Sequence, residues 1–219
     1  MRVRIKFTKN EIVKYLGHLD IMRSFQRNFN RAEVRMTYSE GFNPHQKMSF
    51  ALPLGVGIAS TGEYLDAEIA DGQDLEGICS RLNDVSGMGF DILAVKELQE
   101  GAEKAMAAVK YASYSIIFDN EYDLLLNEYL NRSQIIIQKK TKTGIKDVDI
   151  KTMIEQITLD ENALKILLKA GSENNIKPEL IAEDLFKFSN IDYKRDMISI
   201  TRNDLFAVGI IPLINYQTL

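Results

Sequence analysis

From Arg2 to Thr8, Val3, Ile5 and Phe7 alternate with Arg2, Arg4 and Lys6, the two-residue period of a strand with one buried face and one basic face in solvent. From Gly17 the period lengthens. Leu19, Met22, Phe25, Phe29 and Ala32 fall in one apolar sector of a helical wheel, while Arg23, Arg27 and Arg31, spaced by four, share another face. The pattern then predicts strands over 47–52 and 63–69, a helix over 75–85 and a strand over 91–97. A Glu-, Lys- and Ala-rich stretch over 99–110 reads as a connector, partly helical.

After the connector the order repeats. A strand is expected over 111–118, a helix over 122–130, a strand over 134–140, a turn-rich loop over 142–149 around Gly144, and a short inserted helix over 152–157. A strand over 163–169, a helix over 178–188 opened by Pro178, and a strand over 197–201 complete the series. Two copies of strand, helix, strand, strand, helix, strand predict an α+β protein of two ferredoxin-like (βαββαβ) sandwiches in tandem, each an antiparallel sheet with helices on one face. The expected boundaries are residues 1–100 and 108–219.

The densest local signal lies between the first helix and the second strand. Tyr38-Ser39-Glu40-Gly41-Phe42-Asn43-Pro44-His45-Gln46-Lys47 combines turn residues with aromatic, imidazole and ammonium side chains, and Pro53 and Gly55 close the following strand. Gly41 permits a positive φ, so the loop is expected to be well defined. Loops held on a rigid scaffold are where binding chemistry concentrates.

Charge changes the picture more than composition does. The 219 residues carry a net charge of −4, which alone argues against a nucleic-acid partner. Residues 1–50, however, hold ten Lys/Arg against four Asp/Glu, a balance of +6, and the remainder is at −10. Arg23, Arg27, Arg31, Arg35 and Lys47, with Tyr38, Phe42, Asn43 and His45 interleaved, therefore form a candidate RNA-binding set. Lys139, Lys140, Lys142 and Lys146 form the corresponding set in the second half. The plainer reading is a solvated face whose arginines pair with neighbouring acids such as Asp20 and Glu33.

Catalysis has three candidates, His45, Tyr38 and His18. Histidine, tyrosine and lysine are the types that metal-independent ribonucleases use for proton transfer and phosphorane stabilisation. His18, on the apolar side at the start of the first helix, reads equally as a core or capping residue. Neither a metal nor a cofactor is expected. Cys79 is the sole cysteine, two histidines lie 27 positions apart, Asp147 and Asp149 stand without further oxygens, and Gly55-Val56-Gly57 lacks a third glycine because residue 60 is Ser60. No segment approaches the roughly 18 apolar residues of a membrane span, and no basic stretch precedes a long apolar run, so the cytoplasm is the expected compartment.

Lys14-Tyr15-Leu16-Gly17-His18-Leu19-Asp20, the segment from Tyr38 to His45, Ser49-Phe50-Ala51-Leu52-Pro53-Leu54-Gly55 and Gly62-Glu63-Tyr64-Leu65-Asp66 together resemble the uncharacterised bacterial family of radical SAM-linked proteins. The segment from Lys140 to Ile150 looks like that family's second recurring element. The resemblance implies an accessory role beside a radical SAM enzyme, whose cluster cysteines this chain lacks, and it transfers no catalytic residue. A more distant, fold-level similarity links the doubled arrangement to the tandem ferredoxin-like proteins of the repeat-associated RNA-processing superfamily. Their carboxyl-terminal glycine-rich loop has no counterpart here, where Gly209 stands alone. Three functions follow as expectations: a non-catalytic RNA-holding accessory, a protein-interaction subunit of the radical SAM enzyme, and a metal-independent endoribonuclease.

Overall fold

A computed structural model describes residues 1–141, 144–171 and 176–219, with the side chains of residues 140 and 141 outside that description. The first half runs β1 (Arg2–Lys9), α1 (His18–Arg31), β2 (Met48–Phe50), β3 (Ala59–Glu68), α2 (Leu75–Val85) and β4 (Ile92–Glu97). The one-turn α3 (Ala105–Ala108) lies in the connector. The second half runs β5 (Tyr111–Phe118), α4 (Leu126–Asn131), β6 (Ile136–Thr141), β7 (Gly144–Asp149), β8 (Ile154–Asp160), β9 (Ala163–Lys169), α5 (Pro178–Phe188) and β10 (Ile198–Phe206).

Eight strands form one mixed, mostly antiparallel sheet in the order β4-β1-β3-β10-β5-β9-β8, with β2 also paired to β3. Within each half the strands lie fourth, first, third, second, once the separate β6–β7 hairpin is set aside as an insertion. The expectation of two separate sheets does not describe this arrangement. A parallel seam between β3 and β10, with Thr201 opposite Ala59 and Arg202 opposite Ser60, makes the sheet continuous. The same edge of β3 pairs β2 further along, at Leu65 to Ala67, so two strands share one edge end to end.

Packing follows the periodicity. Val3, Ile5 and Phe7 meet Ile21, Phe25 and Phe29 of α1 and Ile78 and Leu82 of α2 in one apolar cluster. Phe7 and Phe25 pack edge to face at 4.6 Å, an arrangement worth about 0.5–1.5 kcal/mol beyond area burial. In the second cluster Ile116, Phe118, Leu164, Ile166, Ile198 and Ile200 of the sheet pack on Ile181, Leu185 and Phe186 of α5. Ala51, Ile58 and Tyr64 from the first half join that second cluster, which ties the halves together through apolar contact as well as through the seam.

Three sequence expectations are corrected. The polar side of β1 is not a solvent face: Arg4 is fully buried, its Nε donating to Asp66 Oδ1 at 2.8 Å and its guanidinium to the carbonyls of Glu103, Leu213 and Tyr216. The connector and the carboxyl-terminal segment cover that side, and Lys6 is held by Asp204 at 2.7 Å. The expected loop over 142–149 is a strand from residue 144 onward, zipped to β6. The expected helix over 152–157 is a single 3-10 turn, Lys151–Met153, followed by β8. Ile154 and Ile157 stand three apart, as on a helix, because the ladder with β9 slips register between Ile154 and Gln156. Among the described residues no helix is long and apolar enough to cross a membrane.

Candidate nucleic-acid interface and the cleft between the halves

Helix α1 buries Ile21, Phe25, Asn28 and Phe29, and the wheel therefore turns Arg23, Arg27 and Arg31 outward. All three are exposed. Arg23 reaches Asp20 at 3.9 Å, a contact of exposed groups that contributes little, and Arg27 and Arg31 have no ion-pair partner among the described residues. Two more of the candidate cations are engaged. Lys47 pairs with Glu68 at 3.1 Å, and Arg35 donates to the Asp71 carbonyl at 3.4 Å.

The loop after α1 is a closed hairpin. Tyr38 and Gln46 bridge its base, Ser39 N–H donates to the His45 carbonyl at 2.9 Å, and Gly41 sits at φ 111°, where side chains are strained. Gln46 is buried and donates to the Asn30 side chain at 2.8 Å and the Gln26 carbonyl at 3.4 Å, which anchors the loop on α1 alongside the arginine row. Tyr38, Phe42, Asn43 and His45 are exposed, with Phe42 entirely in solvent at the tip. Leaving an aromatic ring there forgoes about 1.5–3 kcal/mol of burial.

The histidines do not form a pair with the other catalytic candidates. His45 Nδ1 lies 2.9 Å from Ser39 Oγ, and among the described residues no hydrogen bond joins it to Tyr38 or Lys47. His18 opens α1 and stacks edge to face on Phe50 at 5.1 Å, with Lys9, Glu63 and Leu52 around a small cavity beside it. No group of three or more His, Cys, Asp or Glu side chains among the described residues could hold a metal.

Between the halves lies a charged cluster that sequence periodicity did not single out. Glu63 of β3 takes a two-pronged contact from Arg202 of β10, with Arg202 Nε to Glu63 Oε1 at 2.7 Å, and Arg202 Nη2 also donates to the Leu52 carbonyl at 2.6 Å. Arg202 is 1% exposed. Burial works against its charge, but Glu63 and Tyr114 outweigh burial and raise its pKa. Lys9, also 1% exposed, donates to the Lys14 carbonyl at 2.9 Å. Desolvation pushes its pKa down, opposed by nearby Glu63 and reinforced by Arg202. Tyr64, hydrogen-bonded to Asp204 across the same seam, has its phenol pKa pushed up by burial and by that carboxylate.

The strap Leu52-Pro53-Leu54 covers this cluster and has a cavity on each side: the His18 cavity, and a cleft of about 540 Å³ lined also by Tyr114, Lys139, Lys177 and Arg202. Lys139 is half-buried, and its cross-strand partner in the hairpin, Lys146, is exposed. The Lys140 side chain and Lys142 lie outside the described residues. A charged residue inside a strand of buried neighbours, such as Arg202 between Ile200 and Leu205, was the available signal for the cluster. Its partner Glu63 stands 139 positions away, so no local pattern pairs them.

The profile of a family described as an uncharacterized protein conserved in bacteria (DUF2344) matches residues 2–178. The chain belongs to that family. No curated protein matches the chain.

Proposed function

We propose that this family member is a non-catalytic accessory protein that holds RNA for a radical SAM enzyme. Its scaffold is two ferredoxin-like halves, residues 1–100 and 108–219, a reading supported by the repeated fourth, first, third, second strand order. The observation that carries the RNA reading is the exposed row Arg23, Arg27 and Arg31, two of them without an ion-pair partner among the described residues, beside a braced loop that holds Phe42 in solvent. Guanidinium groups fork onto phosphates and exposed rings stack on unpaired bases, so the combination suits single-stranded RNA. The radical SAM partner rests on the resemblance of the motifs at residues 14–20, 38–45, 49–55 and 62–66, and a cytoplasmic location belongs to the same proposal.

The test is fluorescence anisotropy with a labelled single-stranded RNA over a salt series. Each phosphate contact contributes a slope of roughly −0.7 in log affinity against log salt, so three arginines give about −2. An Arg23→Glu/Arg27→Glu variant is expected to weaken binding at least tenfold at low salt and to bring the slope to about −0.7. Equal affinity and slope in the two proteins would overturn the proposal.

A second reading, a protein-interaction subunit without nucleic acid, is favoured by the exposed apolar side chains Ile12, Tyr15, Leu19, Val56 and Met88. Gly57 N–H donates to the Lys14 carbonyl at 2.9 Å, which brings two of these segments together. Nuclease-resistant association with the radical SAM protein, lost on Tyr15→Glu, would favour this reading over the first.

A further inference from the structure

We infer that Asn30 is the base-reading residue of the α1 surface and selects nucleotides whose base carries an exocyclic carbonyl, uracil and guanine, over those that carry an exocyclic amine, cytosine and adenine. The inference rests on the RNA reading of the arginine row and names the bases that this surface prefers.

The first observation is a side-chain amide held in one orientation. Gln46 is 5% exposed, and its Nε2 donates both to Asn30 Oδ1 at 2.8 Å and to the Gln26 carbonyl at 3.4 Å. A backbone carbonyl only accepts, so the amino end of Gln46 faces Gln26, and an amino nitrogen only donates, so Asn30 meets it with its oxygen. The arrangement has a cost. Gln46 Oε1 is buried with no hydrogen-bond partner among the described residues, a loss of about 1–3 kcal/mol. Turning the Gln46 amide over would set its oxygen against the Gln26 carbonyl instead, so the backbone of α1 dictates which way Gln46, and through it Asn30, is turned.

The second is what that orientation leaves to a ligand. Asn30 is exposed, and with Oδ1 held by Gln46 the end that remains is the Nδ2 amine, a donor with no hydrogen-bond partner among the described residues. Asn30 follows Arg27 by three residues, which makes the two face neighbours roughly 5–6 Å apart at Cβ, and it precedes Arg31 directly. On its other side it touches the base of the loop that holds Phe42 in solvent. A donor of fixed direction thus joins the phosphate-binding row to the support of the stacking ring. Such a donor finds an acceptor at O4 of uracil or O6 of guanine, and meets N4 of cytosine or N6 of adenine donor to donor. An asparagine free to rotate its amide would serve both kinds of base equally.

Uracil and cytosine share ring size and the O2 carbonyl and differ at the edge that carries the 4-substituent, so labelled oligouridine and oligocytidine of one length are the probes. Fluorescence anisotropy at neutral pH is expected to show oligouridine bound about three- to tenfold more tightly, the worth of one hydrogen bond. Asn30→Asp, at an exposed position, keeps an acceptor for Gln46 Nε2 and replaces the donor by an acceptor, so it is expected to weaken both complexes and to reverse the order. Gln46→Leu releases the Asn30 amide and is expected to bring the ratio to about one with the salt slope unchanged. Salt-dependent binding with a parent ratio near one overturns the inference and leaves the arginine row standing. A ratio that Asn30→Asp or Gln46→Leu leaves as it was in the parent also overturns it. Failure of both oligonucleotides to bind overturns the RNA reading together with the inference.

Discussion

Replacing Glu63 by Gln leaves the Arg202 guanidinium buried with a neutral partner, and the cost follows from the geometry of that pair. Arg202 is 1% exposed and its contacts are short, 2.7 Å from Nε to Glu63 and 2.6 Å from Nη2 to the Leu52 carbonyl. Breaking a buried pair from one side costs about 3–5 kcal/mol, because the charge left behind keeps its desolvation penalty. Gln retains an acceptor, and the Leu52 carbonyl and Tyr114 still face the guanidinium, so the lower end, about 3 kcal/mol, is expected. Replacing both partners by apolar residues of similar size, Glu63→Leu with Arg202→Met, removes the penalty together with the attraction and is expected to lie within about 1 kcal/mol of the parent protein. The chain has no tryptophan, so urea unfolding is followed by far-ultraviolet circular dichroism. With a slope of about 2–3 kcal/mol per molar, the single variant lowers the midpoint by about 1 M. A single-variant cost below about 1 kcal/mol, or a double variant less stable than either single one, would refute the view that the pair is held by mutual compensation.

Two further outcomes probe the same region. The depressed pKa of Lys9 means that the unfolded chain binds its proton more tightly than the folded one, so folding stability gains from this residue as pH rises through the folded pKa toward the ordinary value of 10.5. Denaturant titrations between neutral pH and pH 10 should therefore show the parent gaining stability relative to Lys9→Met, and parallel curves would exclude that origin. A Cβ on Gly62 would meet the Asn203 carbonyl oxygen at 2.5 Å and the Asp204 Cα at 2.9 Å, both backbone atoms, so Gly62→Ala is expected to destabilise by about 1–3 kcal/mol, and a melting temperature within a degree of the parent would contradict the close packing of that seam.

Much of the architecture was written in local periodicity. Strand β5 at Tyr111–Phe118, β9 at Ala163–Lys169, α2 at Leu75–Val85 and α5 at Pro178–Phe188 each lie where alternation or a 3.6-residue stripe put them, because each has one continuous buried face. Strand β8 was misread where a slipped register disguised alternation as helical spacing. The basic side of β1 was misread for a different reason: Arg4 looks like a solvent residue until Asp66 and the carbonyls of Leu213 and Tyr216 surround it. The same holds for the site. The arginine row was legible because one helix carries it, whereas Lys9, Glu63, Tyr114 and Arg202 become neighbours only through the fold.

The seam between β3 and β10 also bears on how the chain reaches this state during synthesis. Ser60 waits for Arg202, 142 residues later. At about 5–20 residues per second the ribosome takes roughly 7–28 s to supply that partner. Throughout that interval β2 covers only the far part of the β3 edge, and the stretch around Ala59 and Ser60 presents unpaired amides and carbonyls to whatever else is nearby. The nascent first half is thus a sheet with one open, sticky rim, which makes it a natural client for chaperones until the last strand docks.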